Sequence, residues 1–320
     1  HIIQKKKEKQ NLNDIAFEKY KLSDKRPFLT VGMFDGVHSG HRCLLHELVS
    51  LSSINDTESV VVSFPVHPRK VLGTTDGGFA LLDTQDERVK KIASCGADWL
   101  LWLNFDRQLA SLEASEFLDL LIEKINPCEV LVGYDNRFGR KDSREFDDIV
   151  SKGEYKGVRV RRSDCKVICE GLEVSSTQIR KLLAEGNVSL AQKMLSNPYS
   201  ICGNVEVGRQ IGRQIGFPTA NITPNPEKLL PKDGVYAVRV LYGGGQYGGV
   251  LNLGGKPTID KAERSCEVYI LNFSEQIYGR QIEIEFIEYL RCQKGFETLE
   301  ELKMQIEKDC DEAEKVLGVL

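Results

Sequence analysis

The sequence predicts a fold of class α/β + β: a doubly wound α/β domain over residues 1–187, then a small antiparallel β-barrel with a terminal helix over residues 188–320. Three observations support this prediction. Apolar segments alternate with amphipathic helical patterns in the first half, short strands and glycine-rich turns replace them beyond Gly186, and a capped helical pattern follows. With 320 residues, the chain has enough length for two cores.

Five segments in the first half are short and almost continuously apolar, which is typical of strands buried on both faces of a parallel sheet. They are 28–32, 59–64, 98–103, 129–133 and 158–162. Helical faces lie between them, as shown by Leu44, Leu45, Leu48 and Val49 on one helix and by Phe117, Leu118, Leu121 and Ile122 on another. This alternation predicts a Rossmann-like domain with a parallel sheet.

The second half contains extended segments separated by turns. They are 235–241, 249–253, 267–273 and 281–290, and a triple glycine at 243–245 marks a turn. We expect residues 187–197 to form a helical linker. Thr298 and Glu301 have capping-box spacing at the start of the terminal helix. This pattern predicts a small antiparallel barrel.

Composition excludes several classes of protein. A net charge of -4 argues against a general nucleic-acid binder, and no apolar stretch approaches the length of a membrane span. No apolar leader follows the early lysines. The nine cysteines are scattered without a CxxC pair, so we expect reduced thiols rather than a disulfide framework or a zinc site. These features predict a cytoplasmic protein without nucleic-acid or membrane partners, and they leave its oligomeric state open.

A first chemical site follows the strand at 28–32, where the loop runs directly into a helix. Its candidate ATP-binding residues are Gly32, Phe34, Asp35, Gly36, His38, Gly40 and His41. Open α/β sheets bind ligands at the carboxyl ends of their strands, and a helix N-terminus there offers free N–H groups to phosphate. The alternative is a loop with two surface histidines.

This loop, Gly-x-Phe-Asp-Gly-x-His-x-Gly-His, resembles the signature of the nucleotidylyltransferase superfamily in its bacterial FAD synthetase branch. Similar matches occur at 64–68, 133–139 and 175–180. The resemblance implies catalytic roles for His38, His41 and Arg180. It further implies ATP contacts from Ser175, Ser176, Thr177 and Arg180, and flavin contacts from His67, Asp135, Arg137 and Phe138. The phosphate of FMN is itself a nucleophile, so this site must align phosphates and stabilise charge without a strong base.

A second chemical site lies in the stretch 203–221, which lacks a Walker sequence. Gly-Phe-Pro-Thr-Ala-Asn at 216–221 resembles the riboflavin kinase domain, and further matches lie at 233–236, 252–258, 267–270, 278–279 and 290–291. The resemblance implies ATP contacts from Gly208, Gly212, Gly216, Pro218, Thr219 and Asn221. It also implies Mg²⁺ near Thr219 and Asn221, a flavin contact from Arg291, and Glu267 as the base for an alcohol nucleophile. From the residues alone, a solvent-facing Glu267 is the alternative.

Together the two resemblances imply a bifunctional enzyme of flavin-cofactor synthesis. Riboflavin and ATP would give FMN and ADP in the C-terminal domain, and FMN and ATP would give FAD and pyrophosphate in the N-terminal domain. The alternatives are another HxGH-type adenylyltransferase fused to a flavin-binding barrel, a class I aminoacyl-tRNA synthetase fragment, and a degenerate flavin carrier or sensor. The chain departs from the family pattern at 195–199, at Asn136 and at 141–143.

Overall fold

The computed structural model describes residues 12–73, 79–140, 143–208, 211–255 and 264–318. The chain divides into two compact units: the first ends at Val174 and the second begins at Ser175. The predicted boundary at 187/188 lies within the second unit and, as a boundary between catalytic domains, stays a prediction. Lys141, Asp142, Pro257 and Thr258, noted above for their family matches or departures, lie outside the described residues.

The first unit alternates strands and helices. Its strands are β1 (Asn13–Ala16), β2 (Phe28–Val31), β3 (Ser59–Ser63), β4 (Trp99–Trp102), β5 (Glu129–Val132), β6 (Glu154–Tyr155), β7 (Val158–Arg162), β8 (Ile168–Cys169) and β9 (Leu172–Glu173). Its helices are α1 (Ser39–Ile54), α2 (Pro68–Val71), α3 (Gln85–Ser94), α4 (Arg107–Ser111), α5 (Ala114–Ile125) and α6 (Glu145–Lys152), and a 3-10 turn spans Phe17–Lys19.

The main sheet of this unit has the order β1-β4-β3-β2-β5-β7-β6, and only β6 runs antiparallel to its neighbour. The chain adds β3 and β4 on one side of β2, then crosses to add β5 and β7 on the other. The strand order therefore reverses between β2 and β5, which is the crevice where doubly wound sheets bind ligands. All five predicted strands are present. The edge strand β1 was not predicted, because its first two residues, Asn13 and Asp14, are polar.

Each face of this sheet is covered by helices. Leu29 and Val60 pack into a cluster with Phe117 of α5, whereas Val61 and Leu100 point the other way into a cluster with residues of α1. Because adjacent strand residues face opposite sides, burial on both faces requires the continuous apolar runs seen in the sequence. The sheet thus forms a rigid base for the loops at its carboxyl edge.

The second unit is a closed barrel with helices around it. Its elements are α7 (Ser176–Glu185), α8 (Val188–Leu195), β10 (Tyr199–Glu206), α9 (Ile211–Gln214), β11 (Thr219–Pro224), β12 (Gly234–Tyr242), β13 (Gly245–Gly255), β14 (Arg264–Ile270), β15 (Gln281–Arg291) and α10 (Leu299–Leu317). The barrel order is β10-β11-β14-β13-β12-β15, with antiparallel neighbours throughout. The predicted barrel and linker helix are confirmed.

The terminal helix α10 packs on the outside of the barrel, where Cys310 and Ala313 join a cluster with Val235 and Ala237. Its N-cap differs from the predicted capping box in one bond. The Thr298 hydroxyl accepts from the Glu301 backbone N–H at 3.2 Å, but the Glu301 carboxylate accepts from the Glu297 N–H. The helix therefore begins as predicted, with only half of the reciprocal pair.

The prediction that the cysteines are reduced is wrong for one pair. Cys43 of α1 and Cys165 of the loop after β7 form a disulfide, and the other seven cysteines are free thiols. The two partners are 122 residues apart in sequence, and only the packing of α1 beside that loop brings their Cα atoms to 5.8 Å. Across the described ranges, no helix combines the length and apolar character needed to cross a bilayer.

Candidate active sites

The loop between β2 and α1 has a strained backbone. Phe34 has φ 51° and Val37 has φ 34°, a region that β-branched side chains rarely adopt, and Gly36 between them has φ 90°. Phe34 and Val37 are both fully buried, so core packing holds the turn in this form. Strained loops held by their surroundings are common at functional sites.

This turn delivers two histidines to the start of α1. His38 is the N-cap, and its Nδ1 accepts from the backbone N–H of His41 at 3.3 Å. The two rings stack with centroids 3.7 Å apart, and the edge of Phe34 contacts the His41 ring. A Cβ atom at Gly40 would lie 3.3 Å from the His38 ring, so a larger residue there would crowd the stacked pair. The predicted helix directly after the histidine loop is confirmed.

Both imidazoles are held in the neutral form at pH 7. Burial lowers the pKa of His38 to about 4, although the nearby Asp83 carboxylate partly offsets this effect. Burial, and then the neighbouring His38, lower the pKa of His41 well below its usual value. Nδ1 of His41 is buried and has no hydrogen-bond partner within the described part of the chain. The pair therefore offers hydrogen-bonding groups rather than fixed positive charges.

Two buried charged residues hold the loop in place. Asp35, predicted to contact ATP, is 2% exposed, and its Oδ1 accepts from the backbone N–H of Asp83 at 3.0 Å. Arg88 of α3 is fully buried and donates to the carbonyl oxygens of Met33 and Phe64, at 3.2 and 2.8 Å. Sequence reasoning missed Arg88. Its local signal is its position on the amphipathic helix α3, one turn before the buried Ile92.

A small cavity of about 30 Å³ adjoins the histidine pair at the switch point of the sheet. Its lining includes His38, His41, Tyr134, Asp135, Cys165 and Lys166. We call this cavity the histidine pocket. Asn136 lies next to it and donates to the Val31 carbonyl at 2.7 Å, which joins the ends of β5 and β2. Asn136, one of the departures from the family pattern noted above, thus braces the crevice.

The other residues predicted to contact flavin have local structural partners. His67 caps α2 by accepting from the Arg69 N–H at 3.1 Å, and Arg137 donates to the Ser143 carbonyl at 2.7 Å. Phe138 is 9% exposed and packs in the core against Phe146. Their flavin contacts stay predictions.

The predicted phosphate-binding segment at 175–180 forms the first turns of α7. Ser175 caps the helix by accepting from the Gln178 N–H at 3.2 Å, and Arg180 donates to the Ser176 carbonyl at 3.2 Å. Thr177 is exposed in the same turn. These residues thus form an N-capped helix start, whereas their triphosphate contacts stay predictions.

The barrel contains a cleft of about 540 Å³ beside α10, which we call the barrel cleft. Its lining includes Thr219, Asn221, Glu267 and Arg291, all predicted site residues, and also Gly212 and Asn252. Glu267 pairs directly with Asn221 on one side and with Asn252 on the other. Paired residues on neighbouring strands point to the same face of a sheet, so these polar side chains share one wall of the cleft.

A second cavity of about 170 Å³ adjoins the first. Its lining includes Arg213, Pro218, Phe273 and Tyr278, together with Thr219. Thr219 therefore lies between the two cavities. Gly216 lies in the turn just before this threonine, with φ 89°.

Gly208 is required by close packing with Asn221. A Cβ atom at Gly208 would lie 1.9 Å from Nδ2 of Asn221, a distance that no real contact allows. The Asn221 side chain occupies the space that a larger residue would fill. The backbone at Gly208 therefore supports the orientation of Asn221 in the barrel cleft.

Arg291 is held by an ion pair with the terminal helix. Its Nε and Nη2 donate to the two carboxylate oxygens of Asp309 at 2.8 and 2.6 Å, and Nη1 donates to the Cys292 carbonyl at 3.0 Å. Asp309 is buried and also accepts from Gln305. Sequence reasoning missed Asp309, because nothing local marks one acidic residue on a charged helix as the partner of β15.

A switch-point histidine pair and an oxygen-lined barrel cleft in one chain define a two-domain enzyme that transfers groups from nucleotides. Family models agree with this class: residues 21–178 match FAD synthetase and residues 195–317 match riboflavin kinase. The chain belongs to the family of bifunctional riboflavin kinase/FMN adenylyltransferases, with the adenylyltransferase domain first and the kinase domain second.

Relatives with both activities in their names align over almost the whole chain. The Escherichia coli K12 enzyme is 36% identical over 294 residues, covering 91% of this chain and 93% of its own. The Listeria monocytogenes enzyme is 32% identical over 288 residues, covering 90% and 91%. A crystal structure from Streptococcus pneumoniae, described as a macrolide-efflux protein, has a TM-score of 0.82 and 29% identity, covering 92% of this chain and 96% of that one.

Proposed function

We propose that the barrel phosphorylates riboflavin with ATP to give FMN and ADP, and that the N-terminal domain then joins FMN to AMP from a second ATP, giving FAD and pyrophosphate. The observation that carries the kinase assignment is the wall formed by Asn221, Glu267 and Asn252, which stands in a cleft of the size that small molecules occupy. The stacked pair of His38 and His41 at the switch point carries the adenylyltransferase assignment.

In the kinase reaction, the terminal ribityl hydroxyl of riboflavin attacks the γ-phosphorus of ATP. We assign Glu267 as the base that accepts the proton of this hydroxyl, a role that requires a positioned carboxylate because an alcohol is a poor nucleophile. The apolar side of the barrel cleft suits the flavin ring, with Phe217 and Ile306 in its lining. We assign ATP to the second cavity, which Pro218 and Thr219 line, with further contacts from Gly208, Gly212 and Gly216.

Mg²⁺ fits the donor set at this site. The Thr219 hydroxyl, the Asn221 amide oxygen and the Glu267 carboxylate are hard oxygen ligands on one wall. Within the described residues there is no cluster of three or more His, Cys, Asp or Glu that could bind a metal alone. Mg²⁺ usually binds through few protein oxygens plus substrate phosphates, and it neutralises charge on those phosphates. We assign Thr219 and Asn221 as its protein ligands.

In the adenylyltransferase reaction, a phosphate oxygen of FMN attacks the α-phosphorus of ATP and pyrophosphate leaves. No base is needed, because the attacking phosphate is already ionised. Neutral His38 and His41 donate hydrogen bonds to the phosphates at the start of α1, whose free N–H groups favour negative charge. Ser176, Thr177 and Arg180 bind the leaving pyrophosphate. His67, Asp135, Arg137 and Phe138 contact the flavin or nucleotide, and Arg291 does so in the kinase.

The sequence left three rival functions open: an adenylyltransferase for another substrate, an aminoacyl-tRNA synthetase fragment and a flavin carrier with degenerate sites. The family matches argue against the first two. The carrier function is disfavoured because both sites retain reactive groups in ordered positions. These groups are the histidine pair at the start of α1 and Glu267, which lies opposite Asn221. We further propose that the enzyme works in the cytoplasm, where ATP and riboflavin are both available.

Incubation of the protein with riboflavin, ATP and Mg²⁺, followed by chromatographic separation over time, tests the proposed function. We expect FMN to appear first and then convert to FAD. FMN without later FAD would refute the adenylyltransferase assignment, and binding of riboflavin without ATP consumption would support the carrier.

A further inference from the structure

The disulfide between Cys43 and Cys165 joins two elements of the histidine pocket. Cys43 lies on α1, two residues after His41. Cys165 lies in the segment 163–174 after β7, which we call the rim segment. This segment contributes to the pocket lining through Cys165, Lys166, Val167, Glu173 and Val174. The bond thus ties the helix that carries His41 to the segment that covers it.

The histidine pocket is narrow in this form of the protein. His38 is 7% exposed, and Nδ1 of His41 is buried without a partner among the described residues. The rim segment lines the pocket together with both histidines. Outward movement of this segment would widen the pocket and expose the two rings to a nucleotide, and the disulfide restricts that movement.

Weaker contacts also hold the rim segment. Lys166 donates to the Tyr134 hydroxyl at 3.4 Å and forms an ion pair with Glu173 at 3.2 Å within the segment itself, and the side chains of this ion pair are more than 40% exposed. Such exposed pairs contribute only ~0.2–1 kcal/mol each. Ser163 donates to Glu47 of α1, which also pairs with Arg161 at 2.8 Å, but these contacts lie at the start of the segment. The disulfide is the tether at the pocket itself that thermal motion cannot open.

We propose that Cys43 and Cys165 form a reversible thiol–disulfide modification site that closes the adenylyltransferase site when oxidised and leaves the kinase active. This inference rests on the proposed function of the histidine pair. A peroxide is the oxidant: the two thiols lose two protons and two electrons as the S–S bond forms, and hydrogen peroxide takes them up as its O–O bond breaks to give two waters. A dithiol reverses the step by thiol–disulfide exchange and leaves as its own disulfide.

Two of the remaining cysteines are too deeply buried for this chemistry. Burial raises the pKa of Cys266 and of Cys310 to about 12, so almost no thiolate forms there at neutral pH. Cys169 is half-buried in the same rim segment, on β8, and is a free thiol. Replacement of Cys169 therefore gives a matched control that removes a nearby thiol without breaking the pair.

The test measures both activities of the full-length protein after treatment with hydrogen peroxide or with dithiothreitol, with peptide mass spectrometry to follow the disulfide. FMN adenylyltransferase is assayed with supplied FMN, and kinase with riboflavin. We expect the oxidised protein to lose adenylyl transfer by at least about tenfold, because even small displacements of catalytic groups have large effects. Kinase activity should be equal in both states. Cys169→Ser should behave like the wild type.

Cys43→Ser should keep the reduced-state adenylyltransferase rate after peroxide treatment, and Cys43→Ala should do the same if the first variant folds poorly. Equal wild-type rates in both redox states, with the disulfide confirmed, would overturn this inference alone. Failure of peroxide to link the two cysteines would also overturn it. An absence of FAD formation in the reduced protein, with kinase activity intact, would instead overturn the proposed function of the histidine pair and this inference with it.

Discussion

Asn221 and Glu267 lie directly opposite each other on strands β11 and β14 of the barrel. On its other side, Glu267 is opposite Asn252 of β13. The carboxylate therefore stands on the middle strand of three, with an amide side chain on each flank, and all three residues line the barrel cleft. Because Asn221 and Asn252 are neutral, they can orient the carboxylate by hydrogen bonding without neutralising its negative charge. This is a suitable environment for a proton acceptor.

Glu267→Gln should reduce riboflavin kinase activity by about 10²–10⁴-fold, the usual contribution of a general base. The amide keeps the shape and hydrogen bonding of the side chain but cannot accept the proton. FAD formation from supplied FMN should be unchanged, which shows that the N-terminal domain still folds. Glu288→Gln, on β15 and not among the residues that line the barrel cleft, is the control. A kinase rate within about twofold of the wild type would remove Glu267 from the mechanism.

His41→Ala should abolish FAD formation from FMN and leave riboflavin phosphorylation intact, because the ring stacks on His38 at the start of α1. His46→Ala is the matched control, since His46 is on the same helix but exposed to solvent. Both rates are measured by separating riboflavin, FMN and FAD. Normal FAD output from the His41 variant would contradict the assignment, as would an equal loss in the His46 variant.

Gly208→Ala should weaken the kinase by displacing the Asn221 side chain, whose Nδ2 would be 1.9 Å from the new Cβ. A double-mutant cycle tests this route. Asn221→Ala removes the clashing atoms, so the double variant should be no slower than Asn221→Ala alone. Additive losses in ATP-dependent kcat/KM would indicate that Gly208 acts independently of Asn221.

Asp309→Ala should destabilise the barrel by about 3–5 kcal/mol, because it leaves Arg291 without its bidentate partner and the Asp309 carboxylate is 4% exposed. Urea unfolding measures the change. Glu285→Gln breaks the more exposed pair between Glu285 and Arg239, and it should cost only ~1 kcal/mol or less. Equal effects of the two substitutions would show that burial does not strengthen the Arg291–Asp309 pair. We also expect weaker riboflavin binding in the Asp309 variant, since both partners line the barrel cleft.

The stability of the N-terminal unit should fall as the pH decreases from about 6.5 to about 4. The pKa of His38 is lowered to about 4 by burial, so the unfolded chain binds a proton in this range that the folded protein does not. The contribution is fully present above pH ~6.5 and amounts to roughly 3 kcal/mol, at 1.36 kcal/mol per pH unit. His38→Gln should flatten this part of the stability curve in urea unfolding at pH 7 and pH 5. An unaltered pH dependence would show that His38 binds its proton equally well in the folded and the unfolded protein.

The fold of this chain was predictable because its strongest signals are local. Apolar strands such as Val60 to Val62 must be buried on both faces, and the alternation along β15 must place one face in a core, so the sequence specified a parallel sheet and a barrel. The histidine loop and the Pro-Thr-Ala-Asn segment were equally visible, because each motif is contiguous and the helix or strand that positions it is adjacent in sequence.

Only the tertiary structure decided which distant residues meet. The disulfide between Cys43 and Cys165 depends on α1 lying beside the loop after β7, and the pair Arg291–Asp309 depends on α10 crossing the barrel. The position of Glu267 between two asparagines depends on barrel closure, which orders β14 between β11 and β13. Local patterns determine how a segment folds, but contacts between segments arise from packing, which no single segment encodes.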